Sequence, residues 1–427
     1  MAESGGPVAP LRVRHGSSLP DAATPLRLGP QRIVLLPVRP RPFPQELLSS
    51  WLFRLAQANS QKLHSLTRLV LGDRQVWNRD IDRLADEAVL LALAGVTGAE
   101  VEVLRRSTLG ALTGRVYTDF HAHGVNRWIL PLGMYHRTRR LRGLMYCPAC
   151  LAERPAFLVP WRLSLSVVCA RHGTVLQDVC PNCAAPVVPH RVDLAAHLSK
   201  SLPTRQSQGQ CFQCGTPLSS VPGRQASAEV VAWQQAIWDA VFGDGQIEVR
   251  GVGPVPVVEY LTVARVWLTL LTFGRNAERL RELVDVPVHL ERGATGQSFD
   301  NLDLPTRLIA VQYLIRLFEG WPERVELWGK GAKIRRSTLL NDMPRSPPWY
   351  LEVLKPLEYV NPRRPLESAD LAAAFQDRNF NEQTKAILQG YAEGKSVRQL
   401  AQEFGVSSGT VRMKVTAIRN PKSGSGH

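Results

Sequence analysis

The sequence predicts a mainly α, multidomain protein, and three observations carry that prediction. Apolar residues recur at helical spacing through most of the chain; 427 residues suffice for two to four domains; and all seven cysteines fall between 147 and 214. The predicted order is an N-terminal helical, helix-turn-helix-like domain (33–145), a cysteine-rich module (146–224), a helical middle domain (225–343) and a C-terminal tri-helical helix-turn-helix (377–422). A proline-rich linker (344–376) and disordered tails (1–32 and 423–427) complete the expected organisation.

Composition limits the function classes. Hydrophobic residues at 44% and charged residues at 21% exclude wholesale disorder. The longest apolar stretches, such as 88–96, are too short to cross a bilayer, so no membrane partner is expected. Residues 1–32 have no apolar core of a secretory signal, and an odd cysteine number cannot all pair in disulfides. Both point to a reducing cytoplasm. Lys plus Arg is 52 against 37 for Asp plus Glu, a net of +15 that favours a polyanionic partner. An Arg-rich composition alone would give the same excess, but the charge is local. No acid lies between Asp119 and Glu153, a window holding Arg127, Arg137, Arg139, Arg140 and Arg142, nor between Asp193 and Glu229. Lys330, Lys333, Arg335 and Arg336 form a third cluster, read as a loop.

The elements follow in chain order. Pro37-Val38-Arg39-Pro40-Arg41-Pro42-Phe43-Pro44 forbids a helix and predicts an extended arm whose Arg39 and Arg41 are candidate DNA-binding residues. Leu48, Trp51, Leu52 and Leu55 then form one apolar stripe, with Ser49, Arg54 and Gln57 facing away. Helical patterns continue at 63–71, 81–93 and 98–106, and no alternation of period two appears before residue 140. Later helices are expected at 229–242, 257–273, 277–284 and 305–319, the last with Pro305 at a first helical position. Six prolines between 344 and 365 mark the semi-rigid linker.

Six cysteines form three Cys-x-x-Cys pairs, and the seventh begins Cys169-Ala170-Arg171-His172, the same spacing with imidazole second. Cys147, Cys150, Cys169, His172, Cys180, Cys183, Cys211 and Cys214 are thus eight soft ligands, enough for two tetrahedral Zn²⁺ sites per chain. Sequential and cross-braced pairings use the same eight residues, and an iron–sulfur cluster is the competing reading. Both sites are saturated and no His-Glu-x-x-His motif occurs, so the zinc is expected to be structural. His190 and His197 are read as surface residues.

At the C-terminus, Asn381-Glu382-Gln383 opens a helix through Ile387, Leu388 and Tyr391 that stops at Gly394. Ser396 and Gln399 form a capping box for a second helix with Val397, Leu400, Ala401 and Phe404 inward. After Gly405, Ser407 or Ser408 caps a third helix through Val411, Val415 and Ile418. Such a third helix enters a DNA major groove. Ser408, Gly409, Arg412 and Met413 are placed to reach bases, and Arg398, Lys414 and Arg419 to reach phosphates. Eight basic residues against three acids in 378–422 favour double-stranded DNA over an ordinary bundle surface.

With arm, first helix and ligands assembled, the chain resembles the TniQ family of heteromeric DNA transposons. The matching residues are Leu36-Pro37-Val38-Arg39-Pro40-Arg41-Pro42, Glu46 to Ala56 around Trp51, Tyr146-Cys147-Pro148-Ala149-Cys150, Trp161-Arg162-Leu163-Ser164, Cys169-Ala170-Arg171-His172-Gly173 and Cys180-Pro181-Asn182-Cys183. The likeness covers roughly 33–220. It implies a non-enzymatic target-site selector that recognises target DNA, recruits an AAA+ ATPase regulator of the TniB or TnsC type, and so licenses a DDE transposase. It also implies a bacterial, cytoplasmic, nucleoid-associated location. Some relatives are joined to CRISPR effector complexes, so the alternative is an adaptor scaffold on such a complex with little direct DNA reading. No nucleophile or carboxylate constellation for an enzyme stands out.

Overall fold

The computed structural model describes residues 35–74, 76–194, 207–291, 293, 297–341, 343, 345–357, 371–372, 375–376 and 380–419. The two expected disordered tails, His197 and most of the expected linker lie outside these residues. The chain is mainly helical and divides into two compact units, one ending at Trp321 and the other beginning at Pro322.

The first unit begins with the arm, which is extended as its prolines require and is strapped to α1 (Leu48–Ala58). The Trp51 indole donates to the Pro40 carbonyl at 2.8 Å, Arg54 donates to the Arg41 carbonyl at 2.9 Å, and Asn59 brackets Val38 from both sides. Leu48, Trp51, Leu52 and Leu55 are all fully buried, as the stripe predicts. The opposite face is not simply solvated. The Ser49 amide and hydroxyl both donate to Asp82 at 2.8 Å, and Arg54 clamps the buried Glu46. α2 (Leu63–Leu71) and α3 (Ile81–Leu84) pack on α1, α4 (Glu87–Thr97) on α2 and α5 (Val101–Arg106) on α4, and their apolar residues share one core. The single helix expected at 81–93 is two, because Ala85 is extended and the Asp86 side chain caps a new helix by accepting from the Val89 amide. Gly98, at φ 68°, ends α4 and delays α5 to Val101.

A two-stranded hairpin, β1 (Met134–Tyr135) with β2 (Thr138–Arg139), interrupts the stretch read as free of strands. It is too short to show alternation. The cysteine-rich segment follows, with α6 (Pro148–Glu153) and the hairpin of β3 (Val168–Cys169) and β4 (Thr174–Val175). Its Val192 joins the core around α1 and its Phe212 packs against that core, so helices and cysteine-rich segment share one body. The middle helices α7 (Ala228–Phe242), α8 (Val257–Phe273), α9 (Ala277–Val284) and α10 (Leu304–Glu319) enclose Trp267, Leu271 and Leu314. The hairpin of β5 (Gln246–Val249) and β6 (Gly253–Pro256) joins α7 to α8. Among the described residues no single helix is long and apolar enough to cross a membrane; α8 and α9 reach that length only together, across a bend of 111°, and α8 is largely buried.

In the second unit, the basic cluster read as a loop spans the end of α11 (Val325–Gly331) and the start of α12 (Arg336–Leu340). The Lys330 ammonium pairs with Glu326 one turn earlier. Part of the expected linker is also ordered: α13 (Pro348–Val353) starts on Pro348, and Tyr350 and Leu354 are fully buried. A proline at the first helical position gives up no intrahelical hydrogen bond, so Pro348 can open a helix inside this proline-dense stretch.

Candidate metal centres and nucleic-acid interface

The eight ligands gather sequentially. Cys147, Cys150, Cys169 and His172 form one cluster and Cys180, Cys183, Cys211 and Cys214 the other, with donor atoms within 4.8 Å of one another in each. The cross-braced alternative is not the arrangement found. Sulfur–sulfur separations are 3.6 Å for Cys150–Cys169, Cys180–Cys214 and Cys183–Cys211. These are far longer than a disulfide and near the edge of about 3.8 Å of a tetrahedron with metal–sulfur bonds of about 2.3 Å. The His172 Nδ1 sits 3.2–3.5 Å from the three sulfurs of its cluster, as a shorter metal–nitrogen bond would require. Each cluster could therefore hold a metal ion, and thiolate-rich sets of this size suit zinc.

Local backbone explains why these residues converge. Three of the four Cys-x-x-ligand turns are built alike. The amides of Gly173, Ala184 and Gly215 donate to the carbonyls of Cys169, Cys180 and Cys211 at 2.8, 3.0 and 2.9 Å. All three residues have positive φ, 62°, 57° and 75°. In the second cluster, the Asn182 and Gln213 amides also donate to Cys180 and Cys211 sulfurs at 3.5 and 3.4 Å, bonds that favour thiolate. The Thr216 hydroxyl and amide beside Cys214 hold its thiol down at about 6, whereas burial pushes Cys211 up to about 12. The fourth turn opens α6, with Cys147 at the N-cap and Pro148 at the first position.

Ala184 is the one non-glycine among the three equivalent positions, and a left-handed backbone disfavours a Cβ by roughly 1–2 kcal/mol. Ala184→Gly is expected to raise thermal stability, or to leave it level where the freer unfolded chain offsets the relief. A melting curve showing clear destabilisation would contradict the strain.

Glu153 is a site residue that spacing could not reveal. Its Oε1 lies 2.9 Å from His172 Nε2, so the carboxylate fixes the ring that points Nδ1 at the sulfurs. It also pairs with Arg171 at 2.6 Å. His190, read as a surface residue, is buried and stacks on Trp77 with ring centroids 5.2 Å apart. Burial drives its pKa well below the ordinary value, which keeps the imidazole neutral.

The C-terminal helices have the predicted caps. Asn381 accepts from the Thr384 amide at 2.9 Å to start α14 (Glu382–Ala392), and Ser396 with Gln399 forms the capping box of α15 (Val397–Glu403). Ser407, not Ser408, caps α16 (Ser408–Arg419), accepting from the Thr410 amide at 3.0 Å. Ile387, Leu400 and Val411 form the centre of the bundle, with Val397, Ala401 and Phe404 packed against them. Arg398, Gly409, Arg412 and Met413 are exposed, and Ser408 is half-buried. Lys414 departs from its expected phosphate-facing position. It is half-buried and donates to the Thr384 hydroxyl at 2.6 Å, because its place between Val411 and Val415 turns it toward α14. The Arg419 side chain lies outside the described residues. In the other unit, Arg39 and Arg41 are exposed on the arm.

Residues 37–176 match the model of the family described as TniQ. No curated protein matches the chain.

Proposed function

We propose that the chain, whose residues 37–176 match the TniQ family model, is a non-enzymatic, DNA-binding target-site selector. The observation that carries this reading is the capped tri-helical unit whose third helix leaves Gly409, Arg412 and Met413 exposed at its start. A helix of that kind inserts its first turns into the major groove, where an arginine reads guanine by two parallel hydrogen bonds. Arg398 of the preceding helix, with Arg39 and Arg41 of the arm, supplies phosphate contacts that set position without reading sequence. The two four-ligand clusters hold structural Zn²⁺, since four protein ligands leave no open coordination position for a reacting water.

In this reading the chain marks a site on double-stranded DNA and presents it to an AAA+ ATPase regulator, which engages a DDE transposase. That role places it at the nucleoid, in the cytoplasm. A footprint on candidate target DNA, with and without the ATPase, tests the proposal. Protection by the chain alone, extended when the ATPase is added, is expected. No protection by the chain alone, with protection appearing only beside an RNA-guided effector complex, would replace it by the adaptor reading. Arg412→Ala is expected to weaken binding to the target site by about 1–3 kcal/mol while leaving non-specific binding within a factor of a few. Equal loss on both kinds of DNA in a titration would remove Arg412 from base reading.

A further inference from the structure

We propose that the β1–β2 hairpin is a second, sequence-independent contact for duplex DNA, with Arg137, Arg140 and Arg142 engaging backbone phosphates. This surface rests on the reading of the chain as a DNA-binding protein. It lies outside the C-terminal helix-turn-helix.

The turn is the first observation. Tyr135 pairs with Thr138, which leaves a two-residue loop of His136 and Arg137, both at positive φ, 45° and 62°. Such loops favour Asn-Gly, because two successive left-handed residues disfavour side chains. Here the two positions instead carry an imidazole and a guanidinium. Strain kept at an exposed turn, where a neutral and unstrained pair would fold better, is a mark of a functional tip.

The tip is also held from below. The Arg137 carbonyl accepts from the buried His190 Nε2 at 3.0 Å, and the Arg137 Nε donates to Asn78 Oδ1 at 3.1 Å. Arg139, on the opposite face of the strand, is buried and anchors the base. The register continues below the strands through the Arg140 amide to the Gly133 carbonyl, 3.1 Å. A pinned hairpin spends little conformational entropy on binding.

Its outward face is of one sign. His136, Arg137, Arg140 and Arg142 are exposed; the carboxylate whose charge Arg142 influences, Asp178, is itself buried and so leaves the outward face cationic. The half-exposed Tyr135 stacks under the Arg140 guanidinium at 3.6 Å from its ring centroid. Stacking orients the planar fork while leaving its N–H groups free to donate to an anion. A two-stranded ribbon of this kind also fits a major groove about 12 Å wide. A phosphate lattice is the partner that matches two oriented guanidiniums, Arg137 and Arg140, with the exposed Arg142 beside them.

The test uses the full-length, zinc-loaded chain and a fluorescent duplex of about 30 base pairs, titrated between 50 and 200 mM salt by anisotropy. Arg140→Gln with Arg142→Gln is expected to weaken binding about tenfold on target and non-target duplex alike. The slope of log affinity against log salt should fall by about two, one for each lost phosphate contact. Arg279→Gln with Arg316→Gln, the same charge change on exposed positions of α9 and α10, should leave the slope unchanged. Arg137→Gly should weaken binding while keeping or raising the melting temperature, the signature of a strained functional turn. Wild-type slope and affinity in the double variant would overturn the hairpin contact and leave the DNA-binding function standing. A matching loss in the control pair would reduce the effect to net charge and overturn it as well. Failure of the wild-type chain to bind any duplex would instead overturn the DNA-binding reading itself.

Discussion

Arg162→Ala is expected to destabilise the first unit by about 3–5 kcal/mol, the range for removing one partner of a buried ion pair. Arg162 has no exposed surface. It donates to Asp80 at 2.7 and 3.0 Å and to Asp82 at 3.4 Å, while its Nε binds the Gly143 carbonyl at 2.9 Å. Burial alone would raise both carboxyls. The Arg162 charge outweighs that for Asp80 and holds it below the ordinary range, whereas Asp82, facing Asp80, is pushed up. Without the guanidinium two acidic groups remain in the core, and Asp82 also carries the first turn of α1 through Ser49. Arg162→Lys should recover only part of the loss, because an ammonium cannot bridge Asp80, Asp82 and Gly143 together. Adding Asp80→Asn to Arg162→Ala should restore stability relative to the single variant, since it removes the stranded charge. Denaturant unfolding measures all three. A loss below about 1 kcal/mol for Arg162→Ala would mean that the acids find another partner and that the network is not the hub.

That network extends into the middle helices through the next turn of chain. Ser164 donates to Asp300 at 2.5 Å, Arg265 clamps the same carboxylate at 2.8 and 2.7 Å, and Arg307 donates to the Ser164 carbonyl at 2.8 Å. The run Trp161-Arg162-Leu163-Ser164 thus works as an interior joint between helices distant in sequence, and touches neither metal cluster through these bonds. Nothing local announces this. Asp80 and Arg162 are 82 positions apart, and a charged residue alone reads as surface until its partner is known.

What was legible in the sequence had short range. The four ligand pairs, the capping box of Ser396 and Gln399, and the stripe of Leu48, Trp51, Leu52 and Leu55 each depend on spacings of three or four residues, which local geometry fixes. The grouping of ligands into clusters was not legible, because both pairings have the same spacings and tertiary packing selects between them. Glu153, Lys414 and His190 were misread or missed for the same reason. Their roles are set by His172, Thr384 and Trp77, which the fold brings near. The β1–β2 hairpin escaped because its turn lacks the Asn-Gly signal and its strands are two residues each.

Removal of zinc is expected to have the second large effect, and the two clusters should respond differently. Purified chain should carry close to two equivalents of zinc; one equivalent, or an iron absorption spectrum, would sink the assignment. Cys169→Ser should lower stability throughout the first unit. Cys169 lies on β3, which packs against α7, and the neighbouring Tyr146 is fully buried and exchanges backbone hydrogen bonds with Gln177 at 2.8 Å. Losing the ion there frees chain that the core needs closed. Cys180→Ser should release one equivalent and loosen chiefly the two turns around Asn182 and Thr216, which are joined at 3.1 Å. Proteolysis should then begin in the turns at 180–186 and 211–217, with unfolding of α1 to α5 following only as Phe212 leaves their core. Glu153→Gln, which keeps the ligands but weakens the orienting carboxylate, should lower metal affinity at the first site by about 10–100-fold and leave the second unchanged. Competition with a chelating dye separates these outcomes. Equal weakening at both sites would mean that Glu153 acts through the fold and not through His172.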